Sequence, residues 1–168
     1  LLTMFSQNTN LLLAFLRDHN TARSVLDVFN DLYAMFGRET YCRLFPVILT
    51  DRGSEFSNPV PIEQDENDEL RSLVFYCNPS APYQKGGIEV AHELVRRVLP
   101  KGKSFDDLQH EDIDLMLSHI NSYKRGKLNS RSAYQLFNFI YGDDILPKLN
   151  IREIEANDIV LSPKLLKK

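Results

Sequence analysis

The order of elements along this chain predicts an α/β domain. Three observations carry the prediction. Two apolar runs of strand length, Leu1-Leu2-Thr3-Met4-Phe5 and Leu11-Leu12-Leu13-Ala14-Phe15-Leu16, flank a polar turn. A second pair of short apolar runs, residues 45–50 and 73–76, comes after a stretch with helical spacing. An amphipathic stretch then covers residues 84–99. Strand, strand, helix, strand, strand, helix is the resulting order.

The first two runs, separated by Ser6-Gln7-Asn8-Thr9-Asn10, read as a hairpin because both are bounded too tightly for helices. From Thr21 to Phe36, the residues Val25, Val28, Phe29, Leu32 and Phe36 recur at helical steps, and Gly37 is the expected stop. Phe45-Pro46-Val47-Ile48-Leu49-Thr50 reads as a short buried strand, and Leu73-Val74-Phe75-Tyr76 as a further one. In the stretch that follows, Ile88, Ala91, Val95 and Val98 or Leu99 form the apolar stripe, with Glu89, His92 and Arg96 along an adjacent stripe. Gly86-Gly87 permits a sharp turn or a close approach before it, and Pro100 stops it. Ser104 with Asp107 has the spacing of a capping box ahead of a second amphipathic helix lined by Ile113, Met116, Leu117, Ile120 and Tyr123. Asn129 or Ser130 is the expected cap of a third helix, which carries Tyr134, Leu136, Phe137 and Ile140 and ends near Gly142. Residues 1–100 are expected to form the core and 101–168 a helical extension packed on it.

At 168 residues, 43% hydrophobic and 26% charged, the chain is long enough for a real core and ordinary in composition. No apolar run approaches the roughly 20 residues of a membrane span, and the N-terminus lacks the pattern of a signal peptide. Cys42 and Cys77 are too few for a zinc ligand set or a disulfide framework; two reduced thiols in a cytoplasmic protein are expected. The net charge of −3 argues mildly against nucleic acid, but it is unevenly spread. Without Glu63, Asp65, Glu66, Asp68 and Glu69 the chain would stand at +2. Basic residues gather later, at Lys85, Arg96, Arg97, Lys101 and Lys103, then at Lys124, Arg125, Lys127 and Arg131. Such clusters permit DNA binding; they are equally the mark of a solvated surface.

The chemistry centres on Asp51, at the end of the third strand, and Glu89, near the start of the following helix. A carboxylate at each place can meet in one cleft and suit a hard divalent cation, which takes oxygen ligands. The plainer alternative is that one acid caps a strand end and the other a helix start.

The letters around the two acids narrow the choice. Thr50-Asp51-Arg52-Gly53-Ser54-Glu55-Phe56 and Phe75-Tyr76-Cys77-Asn78-Pro79-Ser80-Ala81-Pro82-Tyr83-Gln84-Lys85-Gly86-Gly87-Ile88-Glu89 resemble the core of a DDE transposase, above all the bacterial insertion-sequence-thirty family, relatives of retroviral integrases. The similarity continues through Leu94-Val95-Arg96-Arg97-Val98-Leu99-Pro100-Lys101-Gly102. Arg52 stands where the family usually has Asn, Asn78 where Asp is common, and Val90-Ala91-His92 where Asn residues often follow the Glu. The gap between Asp51 and Glu89 is also slightly longer than usual.

The resemblance implies a ribonuclease-H-like (integrase core) fold, a mixed sheet with flanking helices. It makes Asp51 and Glu89 the second and third members of the Asp-Asp-Glu triad, catalytic ligands of Mg²⁺, with Mn²⁺ a substitute. Two ions about 4 Å apart would then serve in-line attack on phosphodiesters. It implies cutting of DNA at transposon ends, joining to target DNA, a homo-oligomer in the active complex, and a bacterial cytoplasmic setting with no membrane. Lys85 is the expected phosphate contact beside its glycines, with Arg96, Arg97, Lys101 and His92 extending the track. The same residues could be solvated, paired with local acids or, for His92, merely half-exposed on the helix. In that fold a central first strand carries the first Asp, yet no Asp here precedes Asp18. The expectation is therefore a fragment, or the product of a truncated gene, lacking the first strand and the family's N-terminal DNA-binding region. Two rivals follow: a non-catalytic remnant that binds DNA or a partner, and a ribonuclease-H-type nuclease that hydrolyses without joining.

Overall fold

The computed structural model describes residues 1–78, 86–102 and 104–166. In chain order the elements are β1 (Leu2–Phe5), β2 (Leu12–Phe15), α1 (Ala22–Leu44), β3 (Val47–Thr50), α2 (Val60–Glu63), β4 (Leu73–Tyr76), α3 (Gly86–Val98), α4 (His110–Ser122), β5 (Lys124–Arg125), β6 (Arg131–Ser132), α5 (Ala133–Tyr141) and α6 (Ile145–Lys148). They divide into two compact units, one of residues 17–84 and one of residues 1–16 with 85–168, a partition different from the expected boundary near residue 100. The reason is the hairpin, which packs on α3 and α4.

In the unit of residues 17–84, α1 begins at Thr21, whose hydroxyl accepts the Ser24 N–H at 3.2 Å while the Ser24 hydroxyl accepts the Thr21 N–H. Val25, Phe29, Leu32, Phe36 and Tyr41 form its buried stripe. Gly37 does break the helix, at φ 73 and ψ 163, but helical turns resume beyond it to Leu44. A residue with no Cβ can take the left-handed φ that this interruption needs. β3 and β4 are parallel, with Val47 opposite Leu73 and Leu49 opposite Phe75. The expectation of a buried β3 is not met. Val47 is 55% exposed and Leu49 42%, and their β4 partners Leu73 and Phe75 are exposed as well. Period-two alternation turns these four side chains to one face of the pair and leaves that face open.

The centre of this unit is a cation. Arg71, only 4% exposed, donates Nε to the Ile62 carbonyl at 3.0 Å and Nη2 to the Pro61 carbonyl and Asn30 Oδ1, both at 2.8 Å. Its guanidinium lies 5.0 Å from the Tyr33 ring centre and 5.6 Å from that of Tyr41. Nor is the acidic stretch only a solvated run. Asp65 Oδ1 accepts the backbone N–H groups of Asn67 and Glu69, and its Oδ2 takes the Tyr33 hydroxyl and Arg38. The Tyr33 bond is the leading cause that holds the Asp65 carboxyl below its ordinary range. Glu63 accepts the Val74 N–H, which ties the end of α2 to β4.

In the other unit, β1 and β2 form the predicted antiparallel hairpin, with Leu2 opposite Phe15 and Phe5 opposite Leu12. α4 is its central helix, and Ile113, Met116, Leu117 and Ile120 are buried as predicted. Tyr123 instead lies past the helix end, exposed. The cap is Gln109, whose N–H donates to the Asp112 carboxylate at 3.0 Å; the Ser104 hydroxyl accepts the Asp106 N–H in a separate turn. α4 also buries polar side chains, each with a partner. Asn121 Oδ1 accepts the Leu12 N–H at 2.9 Å and its Nδ2 donates to the Leu12 carbonyl at 2.8 Å. Ser118, Ser122 and His119 accept the N–H groups of Arg152, Ile154 and Val160. Buried polar atoms need such partners, and here they lay the chain after residue 150 along α4. α5 is capped by Ser132 through a reciprocal bond with Gln135, and Gly142 (φ 99) ends it. Asn129 and Ser130, the expected caps, occupy the left-handed turn between β5 and β6.

His119 makes stability depend on pH. Burial is the main cause that lowers its pKa, nearby Arg152 adds to it and Asp158 opposes. Its Nδ1 accepts the Val160 N–H at 3.1 Å and so carries no proton. The unfolded chain takes up that proton near pH about 6.5, whereas the folded chain does so only at lower pH. Stability is thus complete above the unfolded value and declines as pH falls below it. Thermal unfolding between pH 7.5 and 5.5 should show this decline, and His119→Gln should flatten it; an unchanged slope in the variant would place the titration elsewhere.

Candidate functional site

Asp51 follows β3 directly and is exposed. The loop beyond it is held in several ways. The Thr50 carbonyl accepts the Cys77 N–H at 2.8 Å, which carries the parallel ladder up to Asp51. The Tyr76 hydroxyl donates to the Phe56 carbonyl, and Asp51 Oδ1 accepts the Gly53 N–H at 3.1 Å. The carboxylate therefore leaves a strand end whose backbone is fixed on both sides, as a positioned ligand requires. Arg52 and Asn78, two departures from the family pattern, are both exposed.

A second acid lies beside it. A Cβ at Gly53 would sit 2.5 Å from Glu55 Oε2 and 3.1 Å from Asp51 Oδ1, so both carboxylates crowd the face that the glycine leaves open. Arg17 supplies charge nearby: burial lowers its pKa, and the negative charge of Glu55 opposes that shift. The Arg17 guanidinium donates to the Ser24 hydroxyl at 3.0 Å and to Asn20 Oδ1 at 2.8 Å. The signal for Glu55 was present in the sequence as an acid four residues after Asp51, across a glycine; alone, that spacing assigns nothing.

In the other unit, Glu89 occupies the first turn of α3 and is exposed. β1 braces this turn. A Cβ on Gly87 would collide with the Phe5 ring, so the glycine is what allows β1 and α3 to approach. One turn on, Thr3 Oγ1 and His92 Nε2 lie 2.9 Å apart. Ala91, Leu94, Val95 and Val98 are the buried face of α3. Glu89, Glu93, Arg96 and Arg97 share the exposed one, acidic toward the N-terminus and basic toward the C-terminus, as the helix dipole favours. Lys101 is exposed beyond the helix. Thus Glu89, Arg96 and Arg97 lie on one open surface, whereas His92 turns half-buried toward β1. Lys85, with Tyr83 and Gln84, lies outside the described residues.

Among the described residues, no three His, Cys, Asp or Glu side chains gather into a group able to hold a metal. No helix among them is long and apolar enough to cross a membrane. What the geometry supplies is one exposed carboxylate in each unit, that of Asp51 held by the Gly53 N–H and that of Glu89 in the first turn of α3, and a basic helical surface following the second.

The chain is similar to proteins that act in DNA rearrangement by name. It is 28% identical over 137 residues to integrase ORF3 of Spiroplasma virus SpV1-R8A2 B, a match over 82% of this chain and 40% of that protein. It is 33% identical over 63 residues to the transposase for insertion sequence element IS1086 of Cupriavidus metallidurans, covering 38% of this chain and 19% of the relative. To the transposase for insertion sequence element IS4351 of Bacteroides fragilis it is 27% identical over 94 residues, 56% of this chain and 28% of the relative. The chain spans less than half the length of the curated relatives it matches. No protein-family model matches it, and no solved structure matches it significantly.

Proposed function

We propose that this chain is part of the catalytic core of a DDE transposase, of the insertion-sequence-thirty type, with a ribonuclease-H-like fold. Its role is DNA cleavage and strand transfer in transposition. The observation that supports this most is the similarity to two insertion-element transposases and a viral integrase. Beside it stand Asp51 and Glu89 in the motifs that resemble the triad, each exposed and each on a braced element end.

Asp51 and Glu89 each suit Mg²⁺ in kind. They are hard oxygen donors open to solvent, and Mg²⁺ is commonly held by one or two carboxylates together with substrate phosphate oxygens and water. When bound, the ion would activate the attacking oxygen and stabilise the leaving one. The chain's own residues have simpler tasks. Asp51 and Glu89 present fixed negative charge, while Arg96, Arg97 and Lys101 attract the phosphate backbone toward the α3 surface.

A strand-transfer assay with the intact protein, Mg²⁺ and a donor DNA carrying a pre-cut 3′ end tests this function. Joined product is the expected result. Hydrolysis without joining would make the protein a nuclease, and DNA binding without either reaction would make it a binding module.

A further inference from the structure

The ribbon formed by β5 and β6 has a charge problem that the chain does not solve internally. Between Asp114 and Asp143 the sequence carries Lys124, Arg125, Lys127 and Arg131 and no carboxylate. Arg125 and Arg131 are directly opposite one another in the ladder. Like charges so placed repel and destabilise a strand pair. Among the described residues none of these four cations belongs to an ion pair. Arg125 is half-buried, and its Nε and Nη2 are buried atoms with no hydrogen-bond partner among them. Burial also lowers the Arg125 pKa, as expected for a guanidinium desolvated without an anion. Buried donors left in this state call for an explanation.

An aromatic ring lies alongside. Phe139 of α5 is 81% exposed, and the Arg131 guanidinium stands 6.0 Å from its ring centre. Ile140 beside it is also exposed. Cations that track a backbone, next to an open aromatic ring that can stack on a base, are the two components of single-strand nucleic-acid recognition. An acidic protein partner would use the charges but would leave the ring unexplained.

We infer that the β5–β6 ribbon and Phe139 form a docking surface for DNA with unpaired bases. The exposed Lys124, Lys127 and Arg131 meet the phosphates, Arg125 adds its charge from beneath them, and Phe139 stacks on a base. The choice of DNA rests on the transposase reading above; the surface itself rests on the exposed cations, uncompensated by any nearby carboxylate in the sequence, and on the exposed ring.

Fluorescence anisotropy of the full chain tests it with two probes, a blunt duplex and the same duplex with a single-stranded 3′ overhang. Lys124→Ala/Lys127→Ala should weaken both and lower the log–log salt slope by about two, one for each phosphate no longer neutralised. Phe139→Ala should weaken the overhang probe at least about fivefold, the low end for removing a base stack, and spare the blunt one. Both changes are at exposed positions, and circular dichroism should show an unaltered fold. An unchanged affinity and salt slope in the lysine variant would overturn the surface, as would a loss of self-association in place of a loss of DNA affinity. Equal effects of Phe139→Ala on the two probes would remove the stacking role. Strand transfer by the intact protein, with and without the same substitutions, separates this inference from the function above. Ribbon-dependent binding without joining would sink only the transposase reading; joining that ignores the ribbon would sink only the docking surface.

Discussion

Glu89→Gln in the intact protein is expected to lower strand transfer more than about a hundredfold, since disturbing even the outer partners of a metal ligand commonly costs about 10–100-fold. Gln keeps the size and the carbonyl oxygen but gives up the negative charge. Stability should hardly change. Glu89 is exposed in the first turn of α3, where a carboxylate contributes about 0.3–1 kcal/mol through the helix dipole. DNA affinity should persist, because the cations that attract phosphate are untouched. Asp51→Asn should behave alike, with the amide oxygen still able to accept the Gly53 N–H. Retained joining in either variant, measured with the pre-cut donor DNA, would move the chemistry to other residues.

Arg71→Leu is expected to destabilise the unit of residues 17–84 by about 3–5 kcal/mol, much of the roughly 5–15 kcal/mol that holds a typical domain. The guanidinium donates three hydrogen bonds, to Ile62, Pro61 and Asn30, and lies over two tyrosine rings. A hydrogen bond to a charged group contributes about 1.5–3 kcal/mol, and a cation–π contact adds about 0.5–2 kcal/mol. The cost of burying the charge offsets part of that sum. Removing the fork strands two carbonyls and an amide oxygen. Arg71→Lys should recover only a minor part, because an ammonium cannot meet acceptors spread along a planar fork. Urea unfolding is the check: an Arg71→Lys protein as stable as the parent would show that charge alone, and not fork geometry, matters there.

The hairpin, the helical stripe of α1 and the two short strands β3 and β4 were legible because strand and helix periods are local signals; that β3 and β4 pair in parallel is a tertiary fact. Thr21 and Gly142 delimit their helices through chemistry a sequence displays. Other features depend on distant partners. β3 is apolar enough to read as buried, yet burial needs a covering layer, and Val47 and Leu49 lack one. Arg71 sits in a stretch that reads as surface; only packing puts Tyr33 and Tyr41 around it. Asn129 and Ser130 looked like caps, since short polar residues favour caps and left-handed turns alike. For the candidate site, the motifs identified Asp51 and Glu89, and both lie at the expected element ends. That His92 would turn toward Thr3, or that Glu55 would crowd Gly53, follows from side-chain geometry that spacing does not encode.

The Asn121 amide has one more effect. An outer strand normally presents unsatisfied N–H and C=O groups, an invitation for another chain to add on. At Leu12 both are already taken by a single helical side chain. That plug denies an incoming strand its first backbone contacts at the start of β2, so this point of the edge is closed by a residue 109 positions away.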